Sequence, residues 1–171
     1  MQKAVFLDRD GVINIDKAYV YKIEDFEFCQ GVFEALKHFQ NLGYLLIVVT
    51  NQSGIGRGYY REEDFHTLTR WMRETLNEHT IMIDAVYYCP HAPEENCNCR
   101  KPRSGMFEDA IKTFDIDVKA SWMIGDKESD IQAAKNVDIH NTILISHEKE
   151  LITQAKYSVN DLFGTIKFIQ S

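Results

Sequence analysis

Short apolar runs set the strongest limit on how this chain can fold. Ala4-Val5-Phe6-Leu7 and Leu45-Leu46-Ile47-Val48-Val49 contain no polar residue. A run of that length has no polar face to offer water, so each reads as a strand buried on both sides. Asp84 to Tyr88, Ser121 to Ile124 and Thr142 to Ile145 read as three more strands. Between the strands the period changes to that of a helix. Val32, Ala35, Leu36, Phe39 and Leu42 share one face, closed by Gly43. Phe65, Leu68, Met72 and Leu76 share another, within a helix from about Arg61 to His79. A short helix near Met106 to Phe114, one carrying Ile131, Ala134 and Val137, and a helical tail after Ile145 complete the pattern. Residues 11–30, 51–60 and 89–103 keep no steady period and read as loops.

Strands alternating with helices imply an α/β fold, a doubly wound (Rossmann-like) parallel sheet with helices on both faces. The 171 residues hold no repeat, low-complexity tract or linker, so residues 1–171 are expected to form a single domain without a large cap. A chain of this size buries roughly 70% of its unfolded surface, enough for a core without covalent staples.

Charge narrows the partners. The formal net charge is −7, and Lys and Arg do not gather into one basic run, which argues against nucleic acid or an anionic membrane surface. A small anion is still compatible, because a few local cations suffice to hold one phosphate. Met1-Gln2-Lys3 leads into only four apolar residues before Asp8, unlike a secretory signal. No apolar stretch approaches the ~20 residues of a membrane span. The expectation is a cytoplasmic monomer with reduced thiols.

In such a sheet, ligands bind beyond the carboxyl ends of the strands. Asp8, Thr50, Cys89 and Asp126 each fall at or just after a strand end. Asp8-Arg9-Asp10-Gly11 offers two carboxylates at i and i+2, one able to attack phosphorus while the other handles protons. A strand-terminal turn, where Asp and Gly are common, accounts for the same residues. Thr50-Asn51-Gln52 offers a hydroxyl and amides to phosphate oxygens. Ser53-Gly54-Ile55-Gly56-Arg57-Gly58 is glycine-rich but lacks the Gly-Lys-Ser/Thr of a P-loop, and also reads as a flexible turn. Gly125-Asp126-x-x-x-Asp130 suits a hard cation, or equally the capping of a helix.

Cys89-Pro90-His91 and Cys97-Asn98-Cys99 put three thiols and one imidazole within eleven residues. Cys₃His is a closed, four-coordinate zinc set, and this loop has too little apolar cover for incidental buried thiols. Cys89, His91, Cys97 and Cys99 are therefore expected to hold a structural Zn²⁺. Arg100 and Lys101 follow immediately, so the clamp would fix two cations aimed at phosphate. Cys29 has no such company and reads as a core residue or bystander.

The order Asp8-x-Asp10-Gly11, Thr50, Lys101 and Gly125-Asp126-x-x-x-Asp130 resembles the four signature motifs of haloacid-dehalogenase-like hydrolases. The resemblance implies a Mg²⁺-dependent phosphatase. Asp8 would be the nucleophile and Asp10 the general acid and base. Thr50 and Lys101 would hold the phosphoryl group. Asp8, the backbone carbonyl of Asp10, Asp126 and the backbone of Lys127 would ligate Mg²⁺, with Asp130 in support. With its zinc loop the chain is similar to two related groups, the heptose bisphosphate phosphatases and the histidinol-phosphate phosphatases. The first has a basic residue at the position of Arg57 and acts in ADP- or GDP-heptose synthesis for lipopolysaccharide or surface polysaccharide. That likeness implies substrate contacts from Arg9, Asp16, Lys17, Ala18, Tyr19, Asn51, Gln52, Ser53, Arg57 and Arg100. Only five residues, Ala92 to Asn96, separate His91 from Cys97, a short form shared with the histidinol phosphatases. A non-catalytic zinc module is the reading of another class, opposed by the acidic charge and the complete catalytic set.

Overall fold

A computed structural model describes residues 1–171. Six strands form one parallel sheet: β1 (Ala4–Leu7), β2 (Leu45–Asn51), β3 (Ala85–Cys89), β4 (Trp122–Gly125), β5 (Asn141–Ile145) and β6 (Tyr157–Val159). Their spatial order is β3-β2-β1-β4-β5-β6. The chain therefore turns from one half of the sheet to the other on either side of β1. That switch point is where a crevice opens beyond the strand ends.

Side-chain alternation shows why both faces are covered. Val5 and Leu7 of β1 point into one core with Leu46 and Val48 of β2 and Ile124 of β4. Ala4 and Phe6 point into the other with Ile47, Val49 and Met123. The first core is closed by α1 (Val32–Asn41) and α3 (Glu62–Glu78), through Val32, Leu36, Phe39, Leu68, Met72 and Leu76. The second is closed by α4 (Gly105–Phe114) and α5 (Glu128–Lys135), through Met106, Phe107, Ala110, Ala133 and Ala134. Burying a Leu, Ile or Phe side chain contributes about 1.5–3 kcal/mol, so these two layers hold the strand ends in place.

Three expectations need correction. The stretch after Thr50 is not loop throughout: Ser53–Gly56 form a short helical turn, α2. Strand β2, expected to end at Thr50, runs one residue further to Asn51, and Thr50 is fully buried. The tail is not helical. Tyr157–Val159 pair with β5, and a 3-10 turn at Leu162–Thr165 packs against α1. Tyr157 stacks on Phe168 at 4.0 Å, and His38 Nε2 reaches the Ile169 carbonyl at 2.7 Å, which tie this end to the sheet and to α1. No helix is long and apolar enough to cross a membrane.

Candidate active site

Asp8 leaves β1 at the switch point. Its Oδ1 accepts the Arg9 backbone N–H at 2.8 Å and lies 3.2 Å from Lys101 Nζ. Both of those contacts fall on Oδ1 rather than Oδ2. Lys101 Nζ also reaches Asp130 Oδ1 at 2.6 Å and donates to the Val49 carbonyl at 2.8 Å. Burial works against the Lys101 charge, but Asp130 and Asp8 outweigh it and hold the amine above its usual range. Burial also pushes the Asp8 carboxyl well up, helped by Asp130 and opposed by Lys101. Asp126 rises to about 6, from burial first and then the Asp130 charge.

Carboxylate oxygens of Asp8, Asp126 and Asp130 lie within 4.8 Å of one another. Asp126 Oδ1 is buried without a partner. Gly11 makes this packing possible. Its φ is +86°, and a Cβ there would collide with Asp126 Oδ2. Asp130 Oδ2 accepts the backbone N–H groups of Asp126 and Lys127, each at 3.2 Å, so the capping reading of this acid holds alongside its contact with Lys101.

Asp10 lines the same cavity as Asp8. Its Oδ1 accepts from Arg9 Nη2 at 2.9 Å and Asn14 Nδ2 at 3.1 Å, and its Oδ2 accepts from Gln52 Nε2 at 3.0 Å. Gln52 Nε2 also donates to Thr50 Oγ1 at 3.0 Å, so the Thr50 hydroxyl hydrogen is free to point elsewhere. Asn51 clamps the Lys101 backbone from both sides. Its Oδ1 accepts the Lys101 N–H at 3.0 Å and its Nδ2 donates to the Lys101 carbonyl at 3.3 Å.

The thiol loop is assembled directly behind. Donor atoms of Cys89, His91, Cys97 and Cys99 converge within 4.8 Å, with His91 Nδ1 3.2 Å from Cys99 Sγ and 3.4 Å from Cys89 Sγ. Gln52 N–H donates to the Cys89 carbonyl and Gly56 N–H to the Pro90 carbonyl, both at 2.8 Å. Arg103 grips the loop through the Cys97 carbonyl and Asn96 Oδ1. The loop therefore braces the Thr50–Gly56 segment as well as Lys101.

These groups open into a cavity of about 540 Å³. Asp16, Ala18, Tyr19, Ser53, Arg57, Arg100 and Lys127 line it. Ala18 and Tyr19 both adopt positive φ, 58° and 59°, which turns this segment over the opening. Arg100 Nη1 is buried with no partner.

A D-glycero-alpha-D-manno-heptose-1,7-bisphosphate 7-phosphatase of Campylobacter jejuni is 55% identical over 148 residues, 86% of this chain and 85% of its own. The chain belongs to the heptose-1,7-bisphosphate 7-phosphatase family. A Haemophilus ducreyi member, named for the beta anomer, is 48% identical and covers 98% of each chain. The family model described as HAD-hyrolase-like matches residues 98–162. Among solved structures, the D,D-heptose 1.7-bisphosphate phosphatase from B. bronchiseptica complexed with magnesium and phosphate superposes with a TM-score of 0.89 at 27% identity, covering 98% of both chains. Heptose bisphosphate phosphatases are phosphoric monoester hydrolases, and the fold of this member carries no large cap.

Placing the individual residues within this heptose bisphosphate phosphatase fold changes some expected roles. Arg9, expected among the substrate contacts, is 2% exposed and does not line the cavity. Its guanidinium turns inward to Asp10 and the Val20 carbonyl, over the Phe26 ring. Lys17 also lies outside the cavity, paired with Glu27 at 3.8 Å. Lys127 carries a side chain 4.0 Å from Asp16 on the rim, in addition to the backbone expected near the cation. Three lining residues escaped the sequence reading: Tyr60, Pro102 and Ser129. Ser129 stands between two motif acids and could have been found by spacing; Tyr60 sits in a loop-like stretch and carries no signal of its own.

Proposed function

We propose that this chain removes the 7-phosphate of D-glycero-D-manno-heptose 1,7-bisphosphate through an aspartyl-phosphate on Asp8. The observation that carries this reading is the Asp8 environment: a buried carboxylate with Lys101 at 3.2 Å on one oxygen, lining a polar cavity together with Asp10. Asp8 Oδ2 attacks phosphorus and the bond from phosphorus to the sugar oxygen breaks. Asp10 delivers a proton to that leaving oxygen, so the sugar departs as an alcohol. Thr50 and Lys101 donate to the phosphoryl oxygens as charge builds on them. Asp10 then takes a proton from the water that attacks the aspartyl-phosphate, and Asp8 is regenerated as phosphate leaves.

The buried acid cluster, with its unpartnered Asp126 oxygen, fits a hard divalent cation with oxygen ligands. Asp8, Asp126 and the backbone of Asp10 and Lys127 would hold Mg²⁺, while Asp130 is occupied by Lys101 and the backbone of α5. When bound, the ion supplies positive charge that keeps Asp8 ionised and neutralises the phosphoryl group. Cys₃His fits Zn²⁺ in a closed structural site, and that ion needs no part in the chemistry. Arg57 and Arg100 line the same cavity and, as cations beyond Lys101, suit the second phosphate of a bisphosphate.

Four cysteines, none in a disulfide and three of them suited to Zn²⁺, fit a reducing, cytoplasmic setting. Substrate choice is tested by comparing kcat/KM for the heptose bisphosphate with that for histidinol phosphate, and by assigning the lost phosphate with ³¹P NMR. The heptose bisphosphate should be preferred, leaving the 1-phosphate in place. Preference for histidinol phosphate, or loss of the 1-phosphate, contradicts the assignment.

A further inference from the structure

We propose that Tyr60 is a positioning residue for proton transfer, acting through Gln52 to hold Asp10 in the orientation that protonates the leaving oxygen. The inference rests on the Asp8–Asp10 mechanism and goes further, because it moves Gln52 from the substrate to the machinery that aims the acid.

The bonding around Gln52 leaves its amide little for a substrate. One hydrogen of Nε2 goes to Asp10 Oδ2 and the other to Thr50 Oγ1, each at 3.0 Å. Oε1 accepts the Tyr60 hydroxyl. Turned over, the amide would set Oε1 against Asp10 Oδ2, oxygen to oxygen. Thr50 does not oppose that turn, since a hydroxyl accepts or donates equally well. The Tyr60 hydroxyl could likewise accept from a turned amide, but its own buried hydrogen would then lose its acceptor, Gln52 Oε1. The phenol thus reinforces the end of Gln52 that the Asp10 carboxylate itself selects.

Tyr60 is itself held. The residue is 6% exposed, its ring stacks on Tyr21 at 5.0 Å with 7° between the planes, and a Cβ on Gly54 would collide with it. Burial above all pushes its hydroxyl up to about 12, so it stays a donor across any working pH. On the other oxygen, Arg9 and Asn14 fix Asp10 from behind. Oδ2 is left as the oxygen that shuttles the proton, with Gln52 setting its direction.

A misaimed acid harms a poor leaving group most. A sugar alkoxide must be protonated as it departs, whereas p-nitrophenolate leaves without help. The test uses the metal-loaded full chain, with kcat/KM measured on the heptose bisphosphate and on p-nitrophenyl phosphate. Wild type, Tyr60→Phe, Gln52→Leu and the double variant are compared. Tyr60→Phe keeps the stacked ring and should lower kcat/KM for the sugar phosphate about tenfold more than for the aryl phosphate. Gln52→Leu should show the same bias, and adding Tyr60→Phe to it should cost nothing further. Equal losses on both substrates, no loss on either, or additive losses in the double variant would overturn the proposal. Asp8→Asn, run alongside, separates the two levels: if that variant stays active, the reaction assignment fails, whatever Tyr60 does.

Discussion

At the scale of single residues, the site is a problem of charge. Asp8, Asp126 and Asp130 crowd together with one ammonium, Lys101, that is 4% exposed. Removing one partner from such a buried cluster leaves the other unpaired, which costs about 3–5 kcal/mol. Lys101→Met should therefore lower unfolding free energy by about 3 kcal/mol in denaturant titrations at neutral pH, and abolish most turnover. Asp126 makes a prediction with a sign. Its folded pKa of about 6 lies above that of an ordinary carboxyl. Its contribution is therefore intact below about pH 4 and is lost as pH rises through 6. In chelator-treated protein, the melting temperature of Asp126→Asn should gain on wild type between pH 4 and 7; a constant difference across that range would contradict it. Individual motif acids were legible because strand ends and spacing mark them. Sequence spacing gives no sign that the Arg9 guanidinium turns inward to Asp10 and the Val20 carbonyl. Tyr60 was missed because its value lies in a contact with Gln52 that no local pattern encodes.

At the scale of elements, legibility followed hydrophobic pattern. β1 and β2 were plain because apolar side chains fill both faces, and α3 was plain because Phe65, Leu68, Met72 and Leu76 repeat at helical spacing. β6 was lost because Tyr157-Ser158-Val159 is three residues long, follows a polar stretch and occupies a sheet edge. α2 was lost because two of its four residues are glycine, a poor helix former. Sequence spacing marks the four donors of the thiol loop, which converge in the fold, but not how the loop packs on its neighbours. Hydrogen bonds from Gln52 and Gly56 to Cys89 and Pro90 show that it braces the Thr50–Gly56 segment too. Protein stripped of both metals and given back Mg²⁺ alone should therefore regain only part of its turnover. Full recovery in protein verified zinc-free by metal analysis would show that the loop holds its shape unaided.

At the scale of the whole molecule, the strand order decides what the motifs can do together. With β1 between β2 and β4, Asp8, Thr50 and Asp126 come to one sheet edge although they are spread over more than a hundred residues of sequence. The alternating run of strands and helices announced that edge; the walls of the cavity, built from the Asp16–Tyr19 segment and the Arg57 and Arg100 loops, required the fold. The net charge of −7 stays compatible with an anionic substrate because cations line the cavity where the phosphates would sit. The central claim is a covalent phosphoryl group on Asp8. Acid quenching during turnover of the heptose bisphosphate, followed by peptide mass analysis, tests it directly. Wild type should yield a phosphorylated peptide containing Asp8, and Asp8→Asn should yield neither that peptide nor free phosphate. An Asp8→Asn variant that releases phosphate at the wild-type rate would contradict the account.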